Sequence, residues 1–172
     1  MGLAIFARKS LKVTAKGDIF IWRKRFDKMD KRFNTPSNIQ YLSFNIDGKE
    51  FLICNFHGKW SPGSKLDTKQ RIRQSYLIKQ FLKSKKSPVI LCGDFNLMPE
   101  TKSVAILEKG MNNLIKEYKI ISTRSKISLK QHSDNPQYFA DYIFVTPDIK
   151  VDDFKVISTE ISDHLPLLLE FS

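Results

Sequence analysis

The chain is poor in cysteine, histidine and tryptophan, and it has no long apolar run. Its 172 residues include two Cys, three His and two Trp. Cys54 and Cys92 each fall in an apolar, strand-like stretch rather than in a metal-binding spacing, so both are expected to be buried free thiols, which argues against a disulfide framework. No stretch reaches the roughly 18–20 consecutive apolar residues that a membrane-spanning helix needs. The start lacks the charged, then apolar, then small pattern of a secretory signal, and Phe6 stands where a myristoylation signal requires Ser or Thr. The expectation is a soluble, cytoplasmic chain with no membrane span.

Acidic residues are scarce relative to basic ones: 18 Asp and Glu against 29 Lys and Arg, a formal charge of +11. Such an excess favours polyanionic partners, nucleic acid or an anionic membrane surface, although Lys-rich composition serves solubility equally well. What the chain does have is 41% hydrophobic residues, enough at this length for one domain with a real core.

Alternation and turn residues organise that core. The opening "GLAIFARKS" is strand-like from its first apolar residue. "DIFIWR" (18–23) and "IQYLSFNI" (39–46) alternate as strands do, and "DGK" at 47–49 is a hairpin turn into "EFLICNFH". The intervening basic stretch around Lys24 to Arg32 reads as a solvated connection or a binding loop. A helix should begin at Asp67 or Thr68 and run to about Lys85, with Ile72, Tyr76, Leu77, Phe81 and Leu82 as its apolar stripe. "VILC" (89–92) is a strand buried on both faces. A second helix spans Thr101 to Lys109 and stops at Gly110. After a Ser- and Lys-rich loop, strands return at "YFADYIFVT", "VDDFKVI" and "LPLLLEF". The order of strands, helix, strand, helix, strands predicts an α/β domain of packed sheets covered by helices.

Four strand ends carry polar residues. Asp94 and Asn96 follow "VILCG", two residues apart, and would point the same way if the extended backbone persists, with Phe95 turned inward. A strand-exit turn explains the pair equally well. Asn55 and His57 end "ICNFH", with Lys59 and Trp60 in the next loop. Asp141 interrupts an apolar strand, where an unpaired acid costs several kcal/mol. Asp163 and His164 precede the last strand. Each alone has a structural explanation. Together they offer hard oxygens for Mg²⁺, a base for water and donors for charge on a phosphate, the parts that metal-assisted attack of water on phosphorus needs.

"GDFN" (93–96), "DYIFV" (141–145), "SDHLPL" (162–167) and, more weakly, "NFHG" (55–58) resemble, in order and spacing, the endonuclease/exonuclease/phosphatase superfamily of DNase I-like enzymes. The resemblance implies a four-layer α/β sandwich, two β-sheets packed back to back and covered by helices, and a phosphoesterase dependent on Mg²⁺ or Mn²⁺. It implies that Asp94 orients or deprotonates water and that Asn96 positions water and phosphate. It places Asp163 in the metal site and makes His164 a contact to the scissile phosphate. Asp141 would fix the tautomer of His164, and His57 would be a second phosphate contact or proton donor. Lys59 and Trp60 become candidate substrate contacts, with nucleic acid or another phosphate ester as substrate.

The family begins with an Asn-bearing strand, a helix and a second strand ending in Gln-Glu, whose Glu is a principal metal ligand. "GLAIF" resembles the strand after that Glu, and Glu50, Glu100 and Glu160 match no such motif. The expectation is that residues 1–172 carry the C-terminal two-thirds of a family domain. Either a phosphoesterase lacks its first segment here, or the chain is a half-domain that binds a polyanion or needs a separate N-terminal segment.

Overall fold

The computed structural model describes residues 2–22, 37–131, 134 and 136–172. The basic stretch around Lys24 to Arg32 therefore lies outside the described residues. Strands β1 (Lys12–Trp22), β2 (Ser37–Ile46), β3 (Lys49–His57), β4 (Val89–Asp94), β5 (Asn112–Asn113) and β6 (Asp141–Val145) form one six-stranded sheet in the order β1-β2-β3-β4-β6-β5. Strands β7 (Val151–Val156) and β8 (Leu167–Phe171) form a separate antiparallel pair. This is the expected α/β architecture of two sheets with helices.

The β2–β3 hairpin turns at Asp47 and Gly48, both with positive φ (50° and 85°), the geometry whose twist matches the flanking strands. Helix α1 (Lys69–Lys83) then crosses back, so that β4 lies parallel to β3. Thr68 caps α1 by accepting from the Arg71 amide, which settles the start left open between Asp67 and Thr68. Because β3 and β4 are parallel, their carboxyl ends meet, with His57 opposite Asp94. Antiparallel β6 brings its first residue, Asp141, opposite Asp94 on the other side. Three candidate residues thus converge through ladder register alone.

Ile78, Leu82, Leu91, Val104, Leu107, Phe144 and Val145 sit in the centre of the core. Phe95 is 1% exposed and packs against the rings of Phe56, Tyr142 and Phe144, as its inward orientation predicted. Both cysteines are free, Cys54 fully buried and its neighbour Cys92 partly so.

Three expectations change. Residues 2–8 join no strand; Ala4 instead accepts from the Asn55 side chain at 3.3 Å, so this apolar stretch has a polar tether and no ladder partner among the described residues. The buried side of α1 is Arg71, Gln74, Ser75, Ile78 and Leu82, while Tyr76 is exposed. Leu82 of the predicted stripe is buried and Leu77 and Phe81 pack against the core, while the first turns add Arg71 and Gln74, which grip a loop through hydrogen bonds. The Ser- and Lys-rich loop also contains β5, α3 (Leu114–Glu117) and α4 (Lys126–Gln131), while α2 (Lys102–Glu108) was anticipated. These pieces are too short to show a periodic pattern.

Candidate active site

Asp94 lies at the centre. Its Oδ1 accepts from the Asn96 amide at 2.8 Å, and its Oδ2 faces the Nε2 atoms of His57 (3.7 Å) and His164 (3.8 Å). One carboxylate oxygen thus makes the turn and the other faces two imidazoles. Extended backbone does not persist past Phe95, because Asn96 adopts a left-handed φ of 52°, a conformation Asn tolerates. Its side chain is buried and donates to Gly58 O at 3.4 Å.

Two glycines permit this closeness. A Cβ on Gly58 would fall 2.1 Å from Phe95 O, and one on Gly93, whose φ is +134°, would fall 2.0 Å from Phe56 O. The Gly58 amide donates to Asp94 O at 2.7 Å, tying the two strand exits together. From below, Arg71 Nε donates to Lys59 O at 3.1 Å and Gln74 Oε1 accepts from the Lys59 amide at 3.1 Å. These polar contacts explain why Arg71 and Gln74 lie on the buried side of α1. Lys59 is itself buried, whereas Trp60 is about half exposed beside it.

Asp141 is paired, as its place in an apolar strand demands. Its Oδ2 accepts from His164 Nδ1 at 2.7 Å, which leaves Nε2 turned toward Asp94. Burial pulls the His164 imidazole down and Arg124 repels its charge, but the hydrogen bond and charge of Asp141 carry its pKa above the ordinary value. Burial pushes the Asp94 carboxyl up, and the Asp141 charge adds to this against the pull of His164 and His57. A carboxylate so raised is matched to accepting a proton.

Asp163 borders the same imidazole, its Oδ2 3.8 Å from His164 Nε2. Its Oδ2 pairs with Arg124 at 2.8 Å, and although burial opposes it, that guanidinium and His164 hold its pKa low. Asp94, Asp141 and His164 each offer a ligand atom within 4.8 Å of the others. Two carboxylates and an imidazole suit a divalent cation, Mn²⁺ through oxygen and nitrogen, Mg²⁺ chiefly through oxygen.

Two cationic residues at the site carried no sequence signal. Lys65 is buried and its Nζ donates to Phe139 O at 3.0 Å; burial and Arg124 lower its pKa, while Asp94 and Asp141 oppose them. Arg124 touches both Asp163 and His164 Nε2. Neither lies in a motif, and both arrive from loops distant in sequence.

The model of the Endonuclease/Exonuclease/phosphatase family matches residues 1–164, and the chain belongs to that family. A search of curated protein sequences finds no match to it. Among solved structures, the mannosyl-6-phosphatase Bt3783 of Bacteroides thetaiotaomicron is similar, with 22% identity and a TM-score of 0.67 over 94% of this chain and 67% of its own. An endonuclease/exonuclease/phosphatase from Bacteroides vulgatus reaches a TM-score of 0.74 at 19% identity, over 96% of this chain and 67% of its own. TDP2 of D. rerio, solved with a single-strand DNA product, reaches 0.66 at 18% identity, over 94% of this chain and 68% of its own. Residues 1–172 thus span about two thirds of the length of these relatives.

Proposed function

We propose that this chain is a metal-dependent phosphoesterase that hydrolyses a phosphodiester, with nucleic acid as its substrate. The observation that carries this reading is one carboxylate oxygen, Asp94 Oδ2, facing the Nε2 atoms of two histidines, one of which is locked by Asp141. Asp94 orients a water and accepts its proton as the new P–O bond forms, while the opposite ester P–O bond breaks and the departing alkoxide takes a proton from solvent. His164, held by Asp141 through Nδ1, presents Nε2 to an oxygen of the scissile phosphate. His57 supplies a second donor, and Asn96 holds the Gly58 turn so that His57 and Asp94 keep their separation. Asp94, Asp141 and Asp163 are the carboxylates that would hold Mg²⁺ or Mn²⁺. Bound there, the cation supplies Lewis-acid stabilisation of charge on the phosphate. Exposed Trp60 and the excess of positive charge suit a nucleic acid, whose bases stack on aromatic rings and whose backbone is polyanionic.

The test is hydrolysis of a labelled DNA strand and of bis(p-nitrophenyl) phosphate, with Mg²⁺, Mn²⁺ or EDTA. Asp94→Ala or His164→Ala should each lower the rate by about a hundredfold or more. Hydrolysis that survives both substitutions and EDTA overturns the assignment.

One observation favours a second reading, in which the fold is completed by a separate N-terminal segment. The β7–β8 sheet has two strands among the described residues, and β8 pairs on one side only. Residues 1–172 that are inactive alone, but active once a strand–helix–strand segment is added, would establish it.

A further inference from the structure

We infer that Arg124 is a catalytic residue of this site, a phosphate contact whose guanidinium and His164 Nε2 together form a two-donor cradle for one oxyanion. The inference rests on the phosphoester reading above, and nothing in the sequence pattern assigned Arg124 a role.

The fold builds the pairing in. Arg124 and His164 form an antiparallel bridge, flanked by bonds from the Leu165 amide to Thr123 O (2.9 Å) and from the Ser125 amide to Asp163 O (3.1 Å). Two segments about forty residues apart are thereby stitched side by side. The Thr123 hydroxyl accepts from the amides of Ala140 and Asp141 at 3.1 and 3.2 Å, which fastens the same segment to the start of β6. Arg124 Nε is anchored on Ser128 Oγ at 3.0 Å. That anchor points the two terminal nitrogens into the cluster, one to Asp163 Oδ2 at 2.8 Å and the other to His164 Nε2. Only 10% of the side chain is exposed, so the fork is already ordered and desolvated. Such preorganised charge is worth more to a developing oxyanion than a mobile surface cation is.

The contact between the guanidinium and Nε2 is the telling one. A guanidinium has no acceptor capacity, and an imidazole nitrogen that grips a phosphate oxygen must carry a proton. In a neutral His164 whose Nδ1 donates to Asp141, Nε2 accepts from the guanidinium; a protonated Nε2 leaves the two groups facing each other as donors. A phosphate oxygen seated there satisfies both at once. The fork geometry of arginine is suited to phosphate, where lysine offers only a point charge.

The experiment is equilibrium dialysis of radiolabelled inorganic phosphate against residues 1–172 and the variants Arg124→Gln, Arg124→Lys and His164→Gln. Arg124→Gln should weaken phosphate binding at least about tenfold, and Arg124→Lys should recover only part of the loss. Should Arg124→Gln fail to fold, the wild-type chain is treated with phenylglyoxal and mapped by peptide mass, and phosphate should slow modification of Arg124. Undiminished binding by Arg124→Gln alongside lost binding by His164→Gln overturns the role of Arg124 and leaves the site reading intact. Unchanged modification of Arg124 at saturating phosphate overturns it too. A wild-type chain that takes up no phosphate sinks both readings. Phosphate binding that depends on Arg124 without hydrolysis of any phosphodiester upholds the inference and removes only the reaction.

Discussion

The two sheets hold the two halves of the site by different means. In the six-stranded sheet, β6 is buried from Tyr142 to Val145, and β4 lies between β3 and β6 with a ladder on each side. In the two-stranded sheet, β8 alternates between half-buried and exposed residues, with Leu168 at 41% exposure. His57, Asp94 and Asp141 belong to the first; Asp163 and His164 lie on the segment that leads into β8. Ladder register fixes the first three to within a residue, since a slip would turn every side chain to the other face. Among the described residues no ladder extends over Asp163 and His164 beyond a single bridge, so the backbone bonds of that bridge, the side chains of Thr123 and Arg124, and the hydrogen bond from His164 to Asp141 share that work. The hydrogen bond between Asp141 and His164 is the seam between the halves.

The largest effect should come from forcing apart the close approach in the first half. Gly93→Ala and Gly58→Ala each place a Cβ about 2 Å from a backbone carbonyl oxygen. Each should cost at least the ~1–3 kcal/mol typical of overpacking, or about 2–4 °C of melting temperature per kcal/mol at this chain length. Thermal unfolding followed by circular dichroism measures it; an unchanged midpoint would mean that the two strand exits are not locked together.

Next comes the seam. Asp141→Asn keeps the shape but favours the wrong imidazole tautomer, and should lower the hydrolysis rate by about 10- to 100-fold with the melting temperature nearly unchanged. A rate equal to wild type would show that Asp141 serves only its strand.

On the alkaline side, a pH effect of intermediate size should appear in the first half. Burial pushes the Cys54 thiol up to about 12, with neighbouring Cys92 adding to it, and burial pushes Cys92 up to about 11. Both pKa values are raised above the unfolded value of about 8.5, so the folded state keeps these protons. Their contribution is fully present below about pH 8.5 and is lost as pH rises through about 11 and then about 12. Denaturant midpoints should therefore fall more steeply above pH 9 in wild type than in a Cys54→Ala, Cys92→Ala double variant. Parallel curves would contradict the burial of the thiols.

The smallest effect belongs to the second sheet. Leu168→Lys, at an exposed edge position, should change stability by within about 0.5 kcal/mol, yet it should reduce self-association, because a lysine blunts an open strand edge. Sedimentation velocity of both proteins reads this out. A large stability loss would show that Leu168 packs against a surface.

The strands, the hairpin, both longer helices and the polar strand ends could be read before any fold was seen, because alternation, caps and turn residues act over a few neighbours. Asp141 was marked for a partner by its cost in an apolar strand, and His164 is that partner. Less legible were the polar residues on the buried side of α1 and the left-handed turn at Asn96. Leu77, Phe81 and Leu82 of the apolar stripe do pack against the core, but Arg71 and Gln74 join the buried side by satisfying the backbone of Lys59. Asn96 leaves the extended path because Gly58 comes close enough for its side chain to reach.

The sequence by itself marked the acids, amides and histidines that stand near strand ends, though not Arg124, since side-chain type and local period need no distant partner. Only the tertiary structure decided which of them meet. The parallel pairing of β3 with β4 and the antiparallel pairing with β6 set His57 and Asp141 on either side of Asp94. A bridge across 40 residues of chain set Arg124 against His164. No pattern within either segment announces that meeting, because its hydrogen bonds form between backbones whose sequences are free to vary as long as the register holds.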